Sequence, residues 1–255
     1  MQLVDTHCHI HFPDYGLDPD EVRTAAARDG VTRLLCVGCT LADSKLAVRY
    51  AAGRDGVWAT IGLHPHEAKV YVNDPKALQQ FRGLAGKPKV VAVGETGLDY
   101  YYEHSSQQDQ QKLLRFQLDL ALQHDLPLIC HIRDAFDDFW EIFDEYKGLR
   151  GVVHSFTANT TELERVLTRG LYVGLNGIMT FTKKADQLAA AKAVPVDKLL
   201  LETDAPFLTP HPLRGRICES RHVKVTAAFL AELRGESLED LAAATTRNAR
   251  SLFNI

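Results

Sequence analysis

Short apolar runs alternate with longer amphipathic segments along the whole chain, and this order repeats eight times. Two of the runs, Val90–Val93 and Leu199–Leu201, are continuously apolar, which is typical of parallel strands covered on both faces. We therefore interpret the runs as strands of a parallel sheet. The predicted strands are Gln2–Thr6, Arg33–Gly38, Trp58–Gly62, Val90–Gly94, Pro127–His131, Gly151–Ser155, Leu171–Asn176 and Lys198–Thr203.

The segments between the predicted strands have the periodicity of helices. Within residues 107–124, for example, Leu114, Leu118 and Ala121 recur at helical spacing and would form a face packed on a sheet. The predicted helices are Pro19–Asp29, Asp43–Ala52, Gln107–His124, Phe136–Tyr146, Thr160–Arg169, Lys184–Ala193, Arg221–Leu233 and Leu238–Leu252.

Eight β–α units most simply close into a (β/α)8 TIM barrel. We predict this α/β fold as a single domain over residues 1–255, with the last two helices as C-terminal additions. An open, doubly wound sheet is the alternative, but no G-x-G-x-x-G follows the first predicted strand. The length of 255 residues is within the usual range of a one-domain barrel.

Composition and charge limit the partners of the chain. The net charge is −4, so no overall positive field attracts polyanions, and a phosphate-bearing substrate needs local arginines and metal ions. No apolar run approaches the ~18 residues of a membrane span, and the N-terminus lacks the layout of a signal peptide. We therefore expect a cytoplasmic protein without a membrane partner, and no obligate protein partner is evident.

Polar side chains with metal-binding chemistry occur where the predicted strands end. In a barrel these ends meet at the face that carries the active site. His7 and His9 are spaced i, i+2, and alternate residues of a strand point the same way, so both imidazoles are predicted to share one space. The strand-end residues are His7, His9, His64, His66, Glu95, His131, His154, Glu202 and Asp204.

Nitrogen and oxygen ligands of this kind suit Zn²⁺, Mn²⁺ or Mg²⁺. Six of the strand-end residues exceed what one catalytic ion needs, and we therefore expect two divalent metal ions. The hypothesis assigns His7, His9 and Asp204 to one ion. It assigns His131 and His154 to the other, and Glu95 is shared between the two.

Such a pair of ions lowers the pKa of a bridging water and stabilises the oxygens of a displacement reaction, which points to hydrolysis. Asp204 is the expected proton acceptor as well as a ligand, so Asp204 and Glu95 are the candidate catalytic residues. The alternative interpretation of Asp204 is a helix N-cap before Ala205 and Pro206.

Six blocks of the chain, in this order and spacing, resemble the TatD family of metal-dependent deoxyribonucleases within the amidohydrolase-like barrels. The blocks are 5–9 (DTHCH), 62–66 (GLHPH), 94–101 (GETGLDYY), 131–134 (HIRD), 154–156 (HSF) and 202–210 (ETDAPFLTP). The resemblance implies metal ligation by the same six residues that the strand ends indicate. It also implies cleavage of DNA phosphodiester bonds, commonly as a 3′ to 5′ exonuclease, with DNA ends or single-stranded DNA as the partner.

The substrate contacts are predicted from chemistry and position. Arg133 and Arg214 offer guanidinium groups to a phosphate. Tyr101, within the run 100–102, offers a ring for stacking on an unpaired base, unless the run only covers the core. His64 and His66 are expected to bind phosphate or to support the metal ligands.

One loop departs from the pattern of the family. Where the family usually has an Asn-Glu-Pro block, this chain has Cys218, Glu219 and Ser220. Glu219 is therefore interpreted as a salt-bridge or loop residue.

Two other functions remain open from the sequence. The same metal site would also suit a hydrolase of esters or amides, such as a small cyclic amide or an aminoacyl ester on tRNA, and the acidic net charge favours that substrate class over DNA. A non-catalytic metal-binding barrel is the third hypothesis, although ligands accompanied by a candidate base are typical of catalysis.

Overall fold

The structure of the protein, a computed structural model, describes residues 1–102 and 104–255. The order of its strands in the sheet follows the chain from first to last, unlike the reversed order of a doubly wound sheet. The strands are β1 (Leu3–Cys8), β2 (Val31–Val37), β3 (Val57–Ile61), β4 (Val90–Asp99), β5 (Leu128–Arg133), β6 (Gly151–Val153), β7 (Tyr172–Leu175) and β8 (Leu199–Leu201).

The helices of the described residues follow the strands as the sequence predicts. They are α1 (Pro19–Arg28), α2 (Leu41–Ala51), α3 (Ala68–Tyr71), α4 (Pro75–Arg82), α5 (Gln107–Gln123), α6 (Phe136–Asp144), α7 (Thr160–Thr168), α8 (Ala185–Ala193), α9 (Val223–Arg234) and α10 (Leu238–Phe253). Helices α3 and α4 were missing from the prediction. The Asp74 side chain caps α4 by accepting hydrogen bonds from two backbone N–H groups of its first turn.

Strand β4 is five residues longer than predicted, and this matters for the site. The predicted end at Gly94 was wrong, because β4 stays paired with β5 as far as Asp99 and Arg133. Glycines inside this strand permit close contact with β5 rather than ending it. A Cβ atom on Gly97 would lie 1.8 Å from a backbone oxygen of β5. Glu95 therefore lies within a strand and not at its end.

The chain contains two compact units, residues 1–36 with 155–255 and residues 37–154. In the first unit β1 pairs with β2, β7 pairs with β8, and Cys8 forms a parallel bridge with Ala205 just after β8. Helix α10 packs on β1 and β8. Its buried Asn248 donates a hydrogen bond to the backbone oxygen of Leu199 at 2.8 Å, which attaches the helix to the start of β8.

The second unit contains the consecutive strands β3 to β6, which pair in parallel. Helix α5 packs on β4, and its buried Gln110 and Gln117 are two helical turns apart on one face. Gln117 bonds both backbone groups of Leu63, which follows β3, at 2.8 and 2.9 Å. Gln110 does the same for Asp99 at the end of β4, at 2.8 and 3.0 Å. The two side-chain amides therefore hold in place the backbone beside His64, after β3, and the backbone of Asp99, at the end of β4.

None of the described helices has the length and apolar character needed to cross a membrane. The prediction of one domain over residues 1–255 stays a prediction.

Candidate metal centre

The first unit brings His7, His9 and Asp204 together, and we call these three residues the first ligand set. The Nε2 atoms of His7 and His9 are 3.2 Å apart. The Oδ1 atom of Asp204 lies 3.5 Å from Nε2 of His7 and 3.3 Å from Nε2 of His9. Both imidazoles are buried, and the carboxylate is 18% exposed. Three donor atoms thus converge on one small volume.

The backbone fixes these positions. The Asp204 N–H donates to the backbone oxygen of His7 at 2.8 Å, and the His9 N–H donates to that of Ala205 at 2.6 Å. Asp204 has a φ of +62°, a left-handed conformation that aspartate tolerates better than most residues. The ladder between β1 and the chain after β8 therefore places a carboxylate from the end of the chain beside two histidines from its start.

The buried carboxylate of Asp5 links β1 to the chain just after β8. The Asp5 side chain accepts hydrogen bonds from the N–H and Oγ1–H groups of Thr203 at 2.9 and 2.7 Å. Burial raises the pKa of Asp5 to about 7, although these hydrogen bonds oppose the shift. Asp5 thereby joins β1 to the residue that precedes Asp204.

The second unit places three imidazoles around one carboxylate oxygen, and Glu95, His64, His131 and His154 form the second ligand set. The Oε1 atom of Glu95 lies 2.7 Å from Nδ1 of His131 and 3.3 Å from Nε2 of His154. It lies 3.5 Å from Nε2 of His64. Glu95, His64 and His131 can each direct one donor atom to a common ion. His64, which the sequence suggested for phosphate binding or support, therefore lies directly beside Glu95 and His131.

The electrostatics of the second ligand set favour a charged carboxylate. Burial by itself raises the pKa of Glu95, but the charges and hydrogen bonds of the surrounding imidazoles outweigh burial and hold this pKa well below its usual range. Burial lowers the pKa of His64 to about 4, against the attraction of Glu95. Burial also opposes protonation of His131, but its two carboxylate partners raise the pKa of this imidazole. The set thus keeps an anionic oxygen beside a neutral His64, as a cation site requires.

Asp99 is a candidate site residue that the sequence reasoning missed. Its Oδ2 atom lies 3.0 Å from Nε2 of His131 and 3.0 Å from Nε2 of His66. The ring of His131 therefore bridges two carboxylates, with Nδ1 toward Glu95 and Nε2 toward Asp99. The sequence could have indicated Asp99, because residues four apart in a continuous strand, such as Glu95 and Asp99, point to the same side. The prediction that the strand ends at Gly94 excluded this interpretation.

Two other side chains lie near the sets, Cys39 beside Glu95 and Glu202 with a carboxylate oxygen within 4.8 Å of a ring nitrogen of His7. The Cys39 thiol donates to Oε2 of Glu95 at 3.6 Å. In the first unit, Glu202 accepts a hydrogen bond from the Ser155 N–H at 2.5 Å. A Cβ atom on Gly174 would lie 2.6 Å from the Glu202 carboxylate, so glycine makes the space that this buried acid occupies.

The donor separations of the first ligand set fit a divalent ion. For ligands about 2.1 Å from an ion, neighbouring donors are about 3.0 Å apart in octahedral and about 3.4 Å apart in tetrahedral geometry. Two of the three separations among His7, His9 and Asp204, 3.2 and 3.3 Å, lie in this range, and the third, 3.5 Å, is only slightly longer. Imidazole and carboxylate donors are also the correct chemistry for such ions. The first ligand set therefore fits a divalent ion in distance and in chemistry, and the second set offers the same kinds of donor within reach of a common ion.

Arg133 and Tyr101, two of the residues predicted to bind substrate, lie together in the second unit. The guanidinium carbon of Arg133 lies 4.0 Å from the ring centre of Tyr101 and 4.7 Å from that of Tyr102. The two tyrosines are 56% and 42% exposed. The ring of His66 contacts Tyr102 with a centroid distance of 5.6 Å, so this aromatic surface continues to Asp99.

Two further loop residues of the sequence analysis lie in the first unit. Arg214 donates from Nη1 to the backbone oxygen of Thr209 at 2.9 Å, and its guanidinium carbon is 4.1 Å from the ring centre of Phe181. Glu219 accepts a hydrogen bond from Arg221 at 2.6 Å, so it forms the ion pair that the sequence analysis favoured.

Eight parallel strands in sequential order, together with clusters of imidazole and carboxylate groups that could hold metal ions, define a class of protein, the metal-dependent hydrolases built on a barrel. The sequence model of the family described as TatD related DNase matches residues 4–254. The chain therefore belongs to the TatD family and is a metal-dependent hydrolase.

Individual relatives agree with this placement. The "Uncharacterized metal-dependent hydrolase YabD" of Bacillus subtilis (strain 168) is 36% identical over 255 residues, 99% of each chain. The "3'-5' ssDNA/RNA exonuclease TatD" of Klebsiella pneumoniae (strain 342) is 34% identical over 260 residues, 99% of this chain and 98% of the relative.

The solved structure of the TatD homologue YJJV from Escherichia coli K12 superimposes with a TM-score of 0.91 at 30% identity, covering 99% of this chain and 98% of that one. This likeness confirms the predicted TIM-barrel fold class.

Proposed function

We propose that the protein hydrolyses DNA phosphodiester bonds and removes nucleotides in the 3′ to 5′ direction from ends or single strands. The observation that carries this proposal is the convergence of His7, His9 and Asp204, whose donor atoms lie 3.2 to 3.5 Å apart. The name of the Klebsiella relative supports a nucleic-acid substrate. The six family blocks of the sequence support the same substrate.

Two divalent ions, Zn²⁺, Mg²⁺ or Mn²⁺, complete the proposed site. His7, His9 and Asp204 would hold one ion, and Glu95, His131 and His154 would hold the other. Glu95 as a ligand shared by both ions stays a prediction from the sequence. When bound, such ions stabilise charge on phosphate oxygens and make water a stronger acid.

The chain itself supplies the proton acceptor. Asp204 is the most exposed member of the first ligand set, so it is the member that a water molecule reaches most readily. Its carboxylate is held beside two imidazoles by the backbone bond to His7, which fixes its direction. We assign the acceptance of the water proton to Asp204 and the retention of negative charge in the second ligand set to Glu95.

The substrate strand is proposed to meet the aromatic surface of the second unit. Tyr101 is more than half exposed, and the nearby Arg133 would bind a phosphate while the ring stacks on an unpaired base. His66 is 25% exposed and hydrogen-bonded to Asp99, and we propose that it binds phosphate beside the ligands. His64 is assigned to support of the second ligand set. Arg214 is proposed to contact phosphate on the first unit.

A nuclease assay with metal restored tests the proposal. Protein stripped with a chelator should leave 5′-labelled single-stranded DNA intact, and adding back Mg²⁺, Mn²⁺ or Zn²⁺ should restore stepwise shortening from the 3′ end. His7→Ala and Glu95→Ala should abolish the shortening, whereas the exposed Lys112→Ala on α5 should retain it. Intact DNA with every metal would refute the proposal, and turnover of esters or amides under the same conditions would redirect it to that substrate class.

A further inference from the structure

The loop that follows Asp204 in the first unit lines an open surface pocket, and of its lining residues only Arg214 has a role in the function proposed above. This pocket, called the cavity below, has a volume of about 360 Å³ and is widely open to solvent, as suits a strand that lies along the surface. Its lining combines apolar groups with two guanidinium groups, and the residues used below are Pro206, Thr209, Arg214, Arg216 and Ile217. The loop starts two residues after a metal ligand.

The two arginines of this cavity are not neutralised. Within the described residues, neither Arg214 nor Arg216 has a carboxylate at ion-pair distance. Other arginines of the same unit do form such pairs, for example Arg221 with Glu219 and Arg234 with Glu236. Two unpaired guanidinium groups on one cavity form a local positive site on a chain whose net charge is −4.

The loop is held in place before any ligand binds. The hydroxyl of Thr209 donates to the backbone oxygen of Arg216 at 2.7 Å, and Nη1 of Arg214 donates to the backbone oxygen of Thr209. The Cys218 N–H donates to the backbone oxygen of Pro206 at 3.0 Å and closes the loop. A fixed loop loses little conformational freedom when a ligand binds.

An exposed aromatic ring connects this loop to the first ligand set. Phe207 is 53% exposed, and its ring centre is 6.5 Å from that of His9. Its N–H donates to the backbone oxygen of Asp204 at 2.8 Å, which sets the ring beside the ligands. Ile217, on the cavity, is 42% exposed. Large exposed apolar groups beside a reactive site are typical of ligand contacts.

We propose that this loop is a second nucleic-acid subsite, in which Arg216 together with Arg214 binds a backbone phosphate of the strand and Phe207 stacks on the neighbouring base. The subsite rests on the proposed function for its substrate class. A guanidinium fork matches a phosphate, and an aromatic face accepts any base, so the chemistry specifies an oligonucleotide rather than a small uncharged ester. It adds contacts beyond the nucleotide that is cleaved.

Binding of an oligonucleotide tests the subsite separately from cleavage. The probe is an 8-nucleotide thymidine strand with a fluorescein label and phosphorothioate linkages, which keep the charge and resist hydrolysis. Its Kd for the metal-loaded full-length protein is measured by fluorescence anisotropy across a range of salt concentrations. Arg216→Gln should weaken binding several-fold and reduce the slope of log Kd against log salt by about 0.7, the value for one phosphate contact on a single strand.

Companion variants separate charge from stacking. Phe207→Leu should weaken binding about tenfold without changing the salt slope, because a stacked base is lost and no charge is removed. Arg216→Lys keeps the charge and should retain a slope near that of the wild type. Arg250→Gln, on the exposed side of α10, is the matched control and should behave as the wild type. Circular dichroism confirms that each variant is folded.

The outcomes distinguish this inference from the proposed function. An Arg216→Gln slope equal to that of the wild type would overturn the subsite even if the protein degrades DNA, and so would a wild-type protein that does not bind the strand. Binding that depends on Arg216 in a protein that degrades no DNA with any metal would support the subsite and refute the proposed cleavage.

Discussion

Replacement of Asp99 by asparagine should weaken metal binding at the second ligand set without unfolding the protein. The Oδ1 atom of Asp99 accepts the N–H groups of Tyr101 and Tyr102, both at 3.0 Å. Its Oδ2 atom faces Nε2 of His131 and of His66, each at 3.0 Å. Each oxygen of the carboxylate therefore has two partners.

An asparagine can satisfy only half of this arrangement. Its single oxygen has to take the Oδ1 position, because two backbone donors point there. The NH₂ group then faces Nε2 of His131 and donates to it, which requires the proton of His131 to move to Nδ1. That nitrogen lies 2.7 Å from Glu95, so the lone pair that would bind an ion is lost. Loss of such a supporting carboxylate costs about 10- to 100-fold in metal affinity, or about 1.4 to 2.7 kcal/mol.

Competition with a chromogenic chelator measures this effect. Wild-type protein should retain two ions, and Asp99→Asn should release one of them at about 10- to 100-fold lower chelator excess while the other stays bound. Asp138→Asn is the matched control, since the Asp138 carboxylate accepts from Tyr100 at 2.8 Å in the same unit but contacts neither ligand set. Identical release curves for Asp99→Asn and the wild type would refute the tautomer argument.

Three further predictions follow from the same geometry. His7→Ala should bind one ion fewer than the wild type by elemental analysis, because the first ligand set loses one of its three donors, and full occupancy would contradict this assignment. Gly174→Ala should lower the free energy of unfolding by about 1 to 3 kcal/mol in urea titrations, because its Cβ atom would lie 2.6 Å from Glu202. Gly86→Ala, where a Cβ atom meets nothing within 4 Å, is its control and should change little. In metal-free protein the pKa of His64 is lowered to about 4 by burial, so the unfolded chain binds its proton first as the pH falls. This contribution to stability is complete above about pH 6.5 and declines toward pH 4, and in His64→Asn the urea midpoint should fall less over this window; equal falls would exclude His64 as the cause.

The local pattern of apolar and polar residues was sufficient to predict the order of the strands and helices. All eight predicted strands and all eight predicted helices are found, because apolar runs and helical periodicity are properties of short segments. The closeness of His7 and His9 also followed from local geometry, since the alternation of a strand directs both side chains to one side. The assignment of ions to these residues stays a prediction.

The sequence did not predict contacts between site residues that are distant in the chain. Glycines at 94 and 97 read as the end of β4, although they allow close contact with β5, and Asp99 was therefore not recognised as a partner of His131. For His64 the sequence left phosphate binding and support of the ligands both open, and only the structure puts its Nε2 atom 3.5 Å from Glu95.

The sequence by itself determined the eightfold alternation of strands and helices and the types of side chain available for chemistry. Only the tertiary structure decided which nitrogen of His131 faces which carboxylate, and that Asp204 lies beside His7 although 197 positions separate them in the numbering. The physical reason is that periodicity is set by neighbouring residues. Hydrogen-bond direction and donor separation are set by pairing between strands that are distant in the chain.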